Sequence, residues 1–400
     1  MKQAEFVAFA AMMFATIAFS IDSMLPALPE IGQELSPEKL NRAQLILTSF
    51  VLGMGVGTFF TGPLSDSVGR KPVIYGGAAL YITASAVAWG AQSLELVLAA
   101  RVAQGLGAAG PRVVTLAIIR DLYSGQVMAR IMSLAMLFFT LVPAIAPALG
   151  AVVIDFAGWR AIFLTFILFS LFSLLWMSLR LPETLHPEHR RPFQFQSLMD
   201  AVVEMFRHPT VRISIFVQTC CFSMLFTMLT MVQPVYDIVF DRADSFPIWF
   251  GAVAIVSGSA SLLNAVLVMR LGMRLLVTVT LGVQILLSLA MVVLTTAEIG
   301  QPMLFAAFVV WQTTVFFMAG MTLGNLNAIA MEPMGHIAGT AASVIGSIAT
   351  VLSVALAVPI GLAFNGTPLP LALGICAEAF AGFLLMLWLK RIESRQPATL

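Results

Sequence analysis

The sequence predicts an all-α membrane protein of twelve transmembrane helices in two halves of six, and three observations predict it. The chain is 60% hydrophobic and only 10% charged over 400 residues, with a mean hydropathy of +0.96, more apolar surface than a water-soluble fold can hide. Twelve continuous apolar runs are each about the length of a spanning helix, which needs roughly 20 residues. The basic residues fall mostly on one side of the membrane that these runs define.

In order, the predicted spans are 6–27, 43–64, 72–91, 94–118, 130–153, 161–179, 213–235, 247–268, 275–297, 303–330, 338–363 and 369–389. They are unbroken and rich in Leu, Met, Ala and Phe, which argues against a transmembrane barrel, whose strands alternate over about ten residues between turns. The leading MKQAE precedes a run long enough to span and not followed by a small-residue cleavage site, so no cleaved signal is expected. All three cysteines lie in predicted spans, two of them adjacent at Cys220 and Cys221, and imply no disulfide framework.

Alternating the loops across the membrane places 15 Lys and Arg on the side of the N-terminus and 4 on the other, with Arg101 and Arg112 inside a span. The positive-inside rule then puts both termini in the cytoplasm. The longest polar stretch, Arg180 to Arg212, falls between spans six and seven. The expected organisation is therefore an N-terminal half at 1–180, a cytoplasmic linker at 181–212 and a C-terminal half at 213–400. Two halves of six suggest a parallel repeat, as in transporters that bind substrate between their halves near the bilayer midplane. The loop SDSVGRKP has only a faint counterpart in the second half, MRLGMR at Met269 to Arg274.

Ionisable residues deep in a membrane are costly enough to mark function by default. Asp22, Arg101, Arg112 and Glu378 are the candidates. Arg101 and Arg112 are 11 residues apart, so they return to nearly one helix face about 16 Å apart along the axis. That stripe also carries Gln104, Gly105 and Ala108, and should face the protein interior. Asp22 and Arg101 lie at similar depths from the periplasmic ends of their spans. An ion pair between them at about 4 Å would be worth about 4 kcal/mol at an effective dielectric near 20. Separated, the carboxylate is left in a poorly solvated site and takes up a proton, the elementary step of an antiporter. A permanent ion pair that merely makes both residues tolerable is the structural alternative. Glu378 fits either a proton role or a helix-to-helix hydrogen bond, and Arg112 has no evident carboxylate at its depth.

Gly62 to Pro72 reads GPLSDSVGRKP, with Gly62, Asp66, Gly69, Arg70 and Lys71 in one tight cytoplasmic turn. This G-x-L-x-D-x-x-G-R-K spacing resembles the loop signature of the major facilitator superfamily. Arg101-x-x-Gln104-Gly105 resembles its fourth-helix motif, and Asp22 in SIDSMLPALPEI is similar to the first-helix Asp of its twelve-span drug:proton antiporters. AIIRDLY at Ala117 to Tyr123, GWRAIF at Gly158 to Phe163 and AMEPMGHIAGTAAS at Ala330 to Ser343 are similar to the bicyclomycin/chloramphenicol-resistance branch. The fifth-helix motif is matched by Pro143, Pro147 and Gly150 in VPAIAPALG, with Ala146 where the family carries Gly.

The resemblance implies a bacterial inner-membrane exporter that moves small amphipathic compounds against protons by alternating access, as a monomer without cofactor. The buried charges offer proton coupling through Asp22 and Arg101 and candidate substrate contacts at Asp22, Arg101, Gln104, Arg112 and Glu378, and the Gly62–Lys71 motif offers a gating latch that ties the cytoplasmic ends of the halves together. Two cations on one stripe leave open a specific anionic or zwitterionic metabolite as substrate.

An intramembrane enzyme is the remote alternative, since no G-x-S-x-G, H-E-x-x-H or P-loop is present. Gly105 to Gly110 satisfies G-x-G-x-x-G in mid-span, without the strand and acidic residue that a dinucleotide site needs. HPEH in the linker lacks the spacing of a zinc site, and no metal is expected. A net charge of +1 gives no reason to expect a nucleic-acid partner.

Overall fold

Long apolar segments must satisfy every backbone group internally when they cross lipid, and this chain does so with helices throughout. The computed structural model describes residues 1–297 and 299–395, with side chains described for all of these except 129 and 136–140. The helices are α1 Gln3–Asp22, α2 Leu28–Leu35, α3 Leu45–Val68, α4 Arg70–Trp89, α5 Leu94–Leu122, α6 Gly125–Ala157, α7 Ala161–Arg180, α8 Phe195–Arg207, α9 Pro209–Pro234, α10 Phe246–Leu271, α11 Met273–Thr296, α12 Gln301–Met331, α13 Ala338–Leu362 and α14 Leu369–Glu393.

Ten helical stretches among the described residues are long and apolar enough to cross a membrane; one of them, Gln301–Leu362, holds both α12 and α13, and Leu141–Ala157 in α6 is a shorter apolar stretch. Together these are the twelve expected spans, with boundaries that differ by a few residues. Leu168, Leu179, Leu262 and Leu286 are exposed along their helices, as lipid-facing leucines are.

Three features depart from the sequence reading. The first span is not one helix to residue 27: α1 ends at Asp22, and a 3-10 turn at Leu25–Ala27 with Pro26 at its start leads into α2. The short amphipathic α2 was not anticipated. Neither was α8 in the linker, although Leu198, Ala201 and Met205, the residues it buries, recur at helical spacing.

Residues Met1–Gln194 with Ser245–Gly251 form one compact unit, and Phe195–Asp244 with Ala252–Leu400 the other. In the first, α5 packs against α3, α4 and α1, while α1 also packs on α6. Glycine permits the closest approaches. A Cβ on Gly105 would stand 2.0 Å from the Phe50 carbonyl oxygen, and one on Gly53 2.0 Å from that of Val102. Gly107 meets the Gly77 carbonyl of α4 at 2.3 Å in the same sense. The G-x-G run of α5 is thus a small-residue helix contact. In the second unit α9 packs against α12, α13 and α14, and α11 against α12 and α14.

Candidate functional site

Arg101 is fully buried on α5, and neutral groups satisfy it. Nε–H donates to the Ile46 carbonyl at 3.2 Å, Nη1–H to Gln104 Oε1 at 2.5 Å and Nη2–H to the Ser20 carbonyl at 2.9 Å. The guanidinium also lies over the Phe50 ring, 4.4 Å from its centroid, a favourable stack. Gln104 passes the network on by donating to Ser85 Oγ at 2.6 Å. The Ser20 hydroxyl donates to the Thr16 carbonyl and stands 2.6 Å from Tyr81 Oη. With its one hydrogen so used, Ser20 Oγ accepts from Tyr81.

The helix end explains why Ser20 is the partner. The last carbonyls of a helix have no intrahelical donor, and here the Met24 amide turns to the Ile21 oxygen, leaving the Ser20 carbonyl to the cation. Asp22, two residues on and 4% exposed, makes no hydrogen bond or ion pair among the described residues. The ion pair expected between Asp22 and Arg101 is not formed in this conformation, in which Nε, Nη1 and Nη2 of Arg101 each donate to a backbone or amide oxygen instead. A carboxylate at a helix C-terminus is also disfavoured by the helix dipole.

Helix α6 covers this break in α1. A Cβ on Gly150 would stand 2.1 Å from the Ser23 carbonyl oxygen, so the fifth-helix motif supplies the close contact beside Asp22. Pro143 and Pro147 lie within α6, and Ala146 is buried between them.

Arg112 differs from its neighbour on the stripe. It is exposed, with no partner among the described residues. Glu378 lies in the second unit, where Ser223 of α9 donates to its Oε1 while its Oε2 has no partner. Its one hydrogen bond joins α9 to α14.

The gating motif finds its partners inside the first unit. Arg70 Nη1–H donates to Asp66 Oδ1 at 2.5 Å and to Ser65 Oγ, and its Nε–H donates to Asp121 Oδ2 at 2.9 Å. The first amides of α4, at Arg70 and Lys71, each donate to the Glu183 carboxylate at 3.0 Å. Asp66 thus pairs with the cation, and Glu183 takes the helix end. Lys71 Nζ donates to the Leu181 carbonyl at 2.7 Å. Gly69 joins α3 to α4 at φ 112°, and a Cβ there would press on Glu183 Oε2 at 3.0 Å. All these contacts bind α3, α4 and α5 to the start of the linker, where a latch between the halves was expected. Gly62 itself is half-buried in α3.

Partial burial raises the Glu183 carboxyl, but backbone N–H groups of Leu185, Arg70, Lys71 and Thr184 outweigh this and hold it below the usual carboxylate range. Asp121 and Glu183 were missed as partners. Asp121 stands in the quoted AIIRDLY and Glu183 in the first turn of the linker, yet neither has a spacing that points to Arg70.

The chain matches the family model described as Major Facilitator Superfamily over residues 7–358. It is 31% identical over 335 residues, 82% of either chain, to a bicyclomycin resistance protein homolog of Haemophilus influenzae. Over 147 residues, 36% of this chain and 35% of the relative, it is 37% identical to a chloramphenicol resistance protein of Pseudomonas aeruginosa. Over 187 residues, 47% and 46%, it is 32% identical to the multidrug resistance protein MdtL of Shewanella oneidensis. Among solved structures, a D-xylose-proton symporter superposes with a TM-score of 0.73 at 13% identity, covering 96% of this chain and 97% of that one. The human organic anion transporter MFSD10 does so with 0.64 at 17% identity, covering 96% and 100%. At these identities the two structures share the fold.

Proposed function

We propose, from the premise that this chain belongs to the major facilitator superfamily, that it exports small amphipathic compounds, antibiotics among them, in exchange for protons. As a member of that family it is a multi-pass membrane transporter and not an enzyme. The names of its relatives, which speak of resistance to bicyclomycin, chloramphenicol and several drugs, support antibiotic efflux. The charge asymmetry of the loops supports cytoplasmic termini, and the bacterial relatives an inner-membrane location. The working unit we propose is a monomer.

The coupling proposal rests on one observation: Asp22 is buried without a partner, while Arg101 bonds a neutral carbonyl two residues earlier on the same helix. A carboxylate in a poorly solvated site with no cation beside it is costly, and that cost falls when the proton is on. Moving Arg101 from Ser20 to Asp22 stabilises the charged form and releases the proton. Substrate binding and this exchange of partners together make a two-state device of the kind alternating access requires.

Proteoliposomes with an imposed pH gradient and a panel of antibiotics test the reading. Asp22→Asn is expected to remain folded, with an unchanged thermal midpoint, and to lose pH-driven transport. Undiminished pH-driven transport by that variant would remove Asp22 from coupling.

A second reading, transport of an anionic or zwitterionic compound on the same fold, is favoured by the exposed, unpartnered Arg112.

A further inference from the structure

Between Ala100 and Ile119 of α5, Arg112 is the one exposed residue. A lipid-facing stripe would repeat its exposure three and four positions away, yet Ala108, Ala109 and Thr115 are buried and Leu116 half-buried. Arg112 therefore projects from an enclosed face of the helix, 18 residues after Leu94 and 10 before Leu122, well inside the span. On that same face Thr115 is fully buried and its hydroxyl has no partner.

The contrast with Arg101 is informative. This chain supplies a buried arginine with two backbone carbonyls, an amide oxygen and an aromatic ring. It supplies Arg112 with none of these, nor with a carboxylate, among the described residues. An uncompensated intramembrane cation is retained against a substantial cost, and its planar fork of donors matches a carboxylate or phosphate in two-point geometry.

We infer that Arg112 is the anchor for an anionic oxygen group of the transported substrate, so that amphipathic organic anions are the preferred class. This rests on the transport reading above and specifies its substrate. The anion completes the donor set that the protein leaves open, and an uncharged isostere leaves it unfilled.

The test uses the full chain in nanodiscs of phosphatidylcholine, with thermal stabilisation as the readout. The probes are 1-naphthoate and phenyl phosphate, set against 1-naphthamide and 1-naphthylmethylammonium. The anions are expected to raise the midpoint and the amide and ammonium compounds to leave it in place. Arg112→Gln is expected to require at least about tenfold more anion for the same shift, and Arg112→Lys to fall between, keeping the charge but losing the fork.

Equal stabilisation by the amide, preference for the ammonium compound, no response to either anion, or an unchanged response in Arg112→Gln would each overturn the proposal. Nanodiscs that also contain phosphatidylglycerol separate the two sources of anion. If that lipid itself stabilises through Arg112 and abolishes the naphthoate response, the site belongs to a headgroup and the substrate proposal falls. The coupling reading fails separately. A wild-type protein that binds the anions but moves nothing in a pH gradient loses coupling and keeps this site, whereas gradient-driven transport without anion binding does the reverse.

Discussion

Arg101 donates to the Ser20 carbonyl at 2.9 Å across the α1–α5 contact, two residues short of the unpartnered carboxyl of Asp22. The cation thus caps the end of α1, the helix whose last residue carries the group it is proposed to switch. Its acceptors lie in three directions, on α1, on α3 and on α5 itself, and only a guanidinium can reach all three. Arg101→Lys keeps the charge but cannot satisfy Ile46, Gln104 and Ser20 together. With two charge-assisted hydrogen bonds lost, the expected destabilisation is about 3 kcal/mol, seen as a lower thermal midpoint, with pH-driven transport reduced more than about tenfold. A lysine variant with wild-type transport and stability would show that the fork is dispensable.

Glu183 makes the cytoplasmic cluster sensitive to acid. Four backbone amides hold its carboxyl below the usual carboxylate range in the folded protein. A folded-state value below the unfolded one, about 4.3, contributes stability that is present above the unfolded value and lost as pH falls through the folded one. The thermal midpoint of the wild type should therefore drop below about pH 4.3, and Glu183→Gln should flatten that part of the profile while lowering the midpoint at neutral pH. If the variant and wild type fall in parallel through this window, Glu183 is not the titrating group.

Much of the fold could be read from the sequence because hydrocarbon thickness fixes the length of an apolar run. The helix break after Asp22 was less visible, since Pro26 lies inside a run that stays apolar. Partners were harder still, because they are set by tertiary approach across many residues. The repeat illustrates this. In the first unit Arg70 bridges to Asp121 at the end of α5, and Glu183 after α7 caps α4. In the second, Arg274 bridges Glu332, just after α12, and Glu393, at the end of α14, each at 2.7 Å. The two arrangements share a plan, with acids 51 and 113 residues after Arg70 and 58 and 119 residues after Arg274, although only Arg, Gly and Arg of the loop survive in sequence. The quoted family segments acquire reasons in the same way. Asp121 of AIIRDLY holds Arg70, Glu332 of AMEPMG holds Arg274, and Trp159 of GWRAIF donates its indole N–H to Glu34 of α2 at 2.7 Å.

Gly105, against α3, and Gly110, toward α4, look alike in the sequence but not in their packing. A Cβ on Gly105 meets the Phe50 carbonyl oxygen at 2.0 Å and the Met54 nitrogen at 2.7 Å, both backbone, whereas one on Gly110 has nothing nearer than 3.6 Å. Gly105→Ala forces the helices apart and should cost about 3 kcal/mol, the upper range for overpacking, or abolish expression of folded protein. Gly110→Ala should be within about 1 kcal/mol of wild type and on the stabilising side, since alanine favours the helix by about that amount. Midpoints measured on detergent-solubilised protein decide it, and equal effects at the two positions would contradict the packing described.

Glu378 supplies the last comparison. Its Oε1 accepts from the Ser223 hydroxyl, its Oε2 has no partner, and no cation pairs with it among the described residues. A lone buried carboxyl of this kind is held most cheaply as the neutral acid, which glutamine imitates in shape and retains the acceptor for Ser223. Glu378→Gln should therefore keep stability within about 1 kcal/mol, whereas Glu378→Leu strands the Ser223 hydroxyl and should lose about 1–3 kcal/mol. Removing both partners in Glu378→Leu/Ser223→Ala should recover most of that loss, because no donor is then left unsatisfied. The double variant separates the two roles the sequence allowed. Recovered stability with intact pH-driven transport makes Glu378 a contact between α9 and α14, and recovered stability without transport makes it a second proton site.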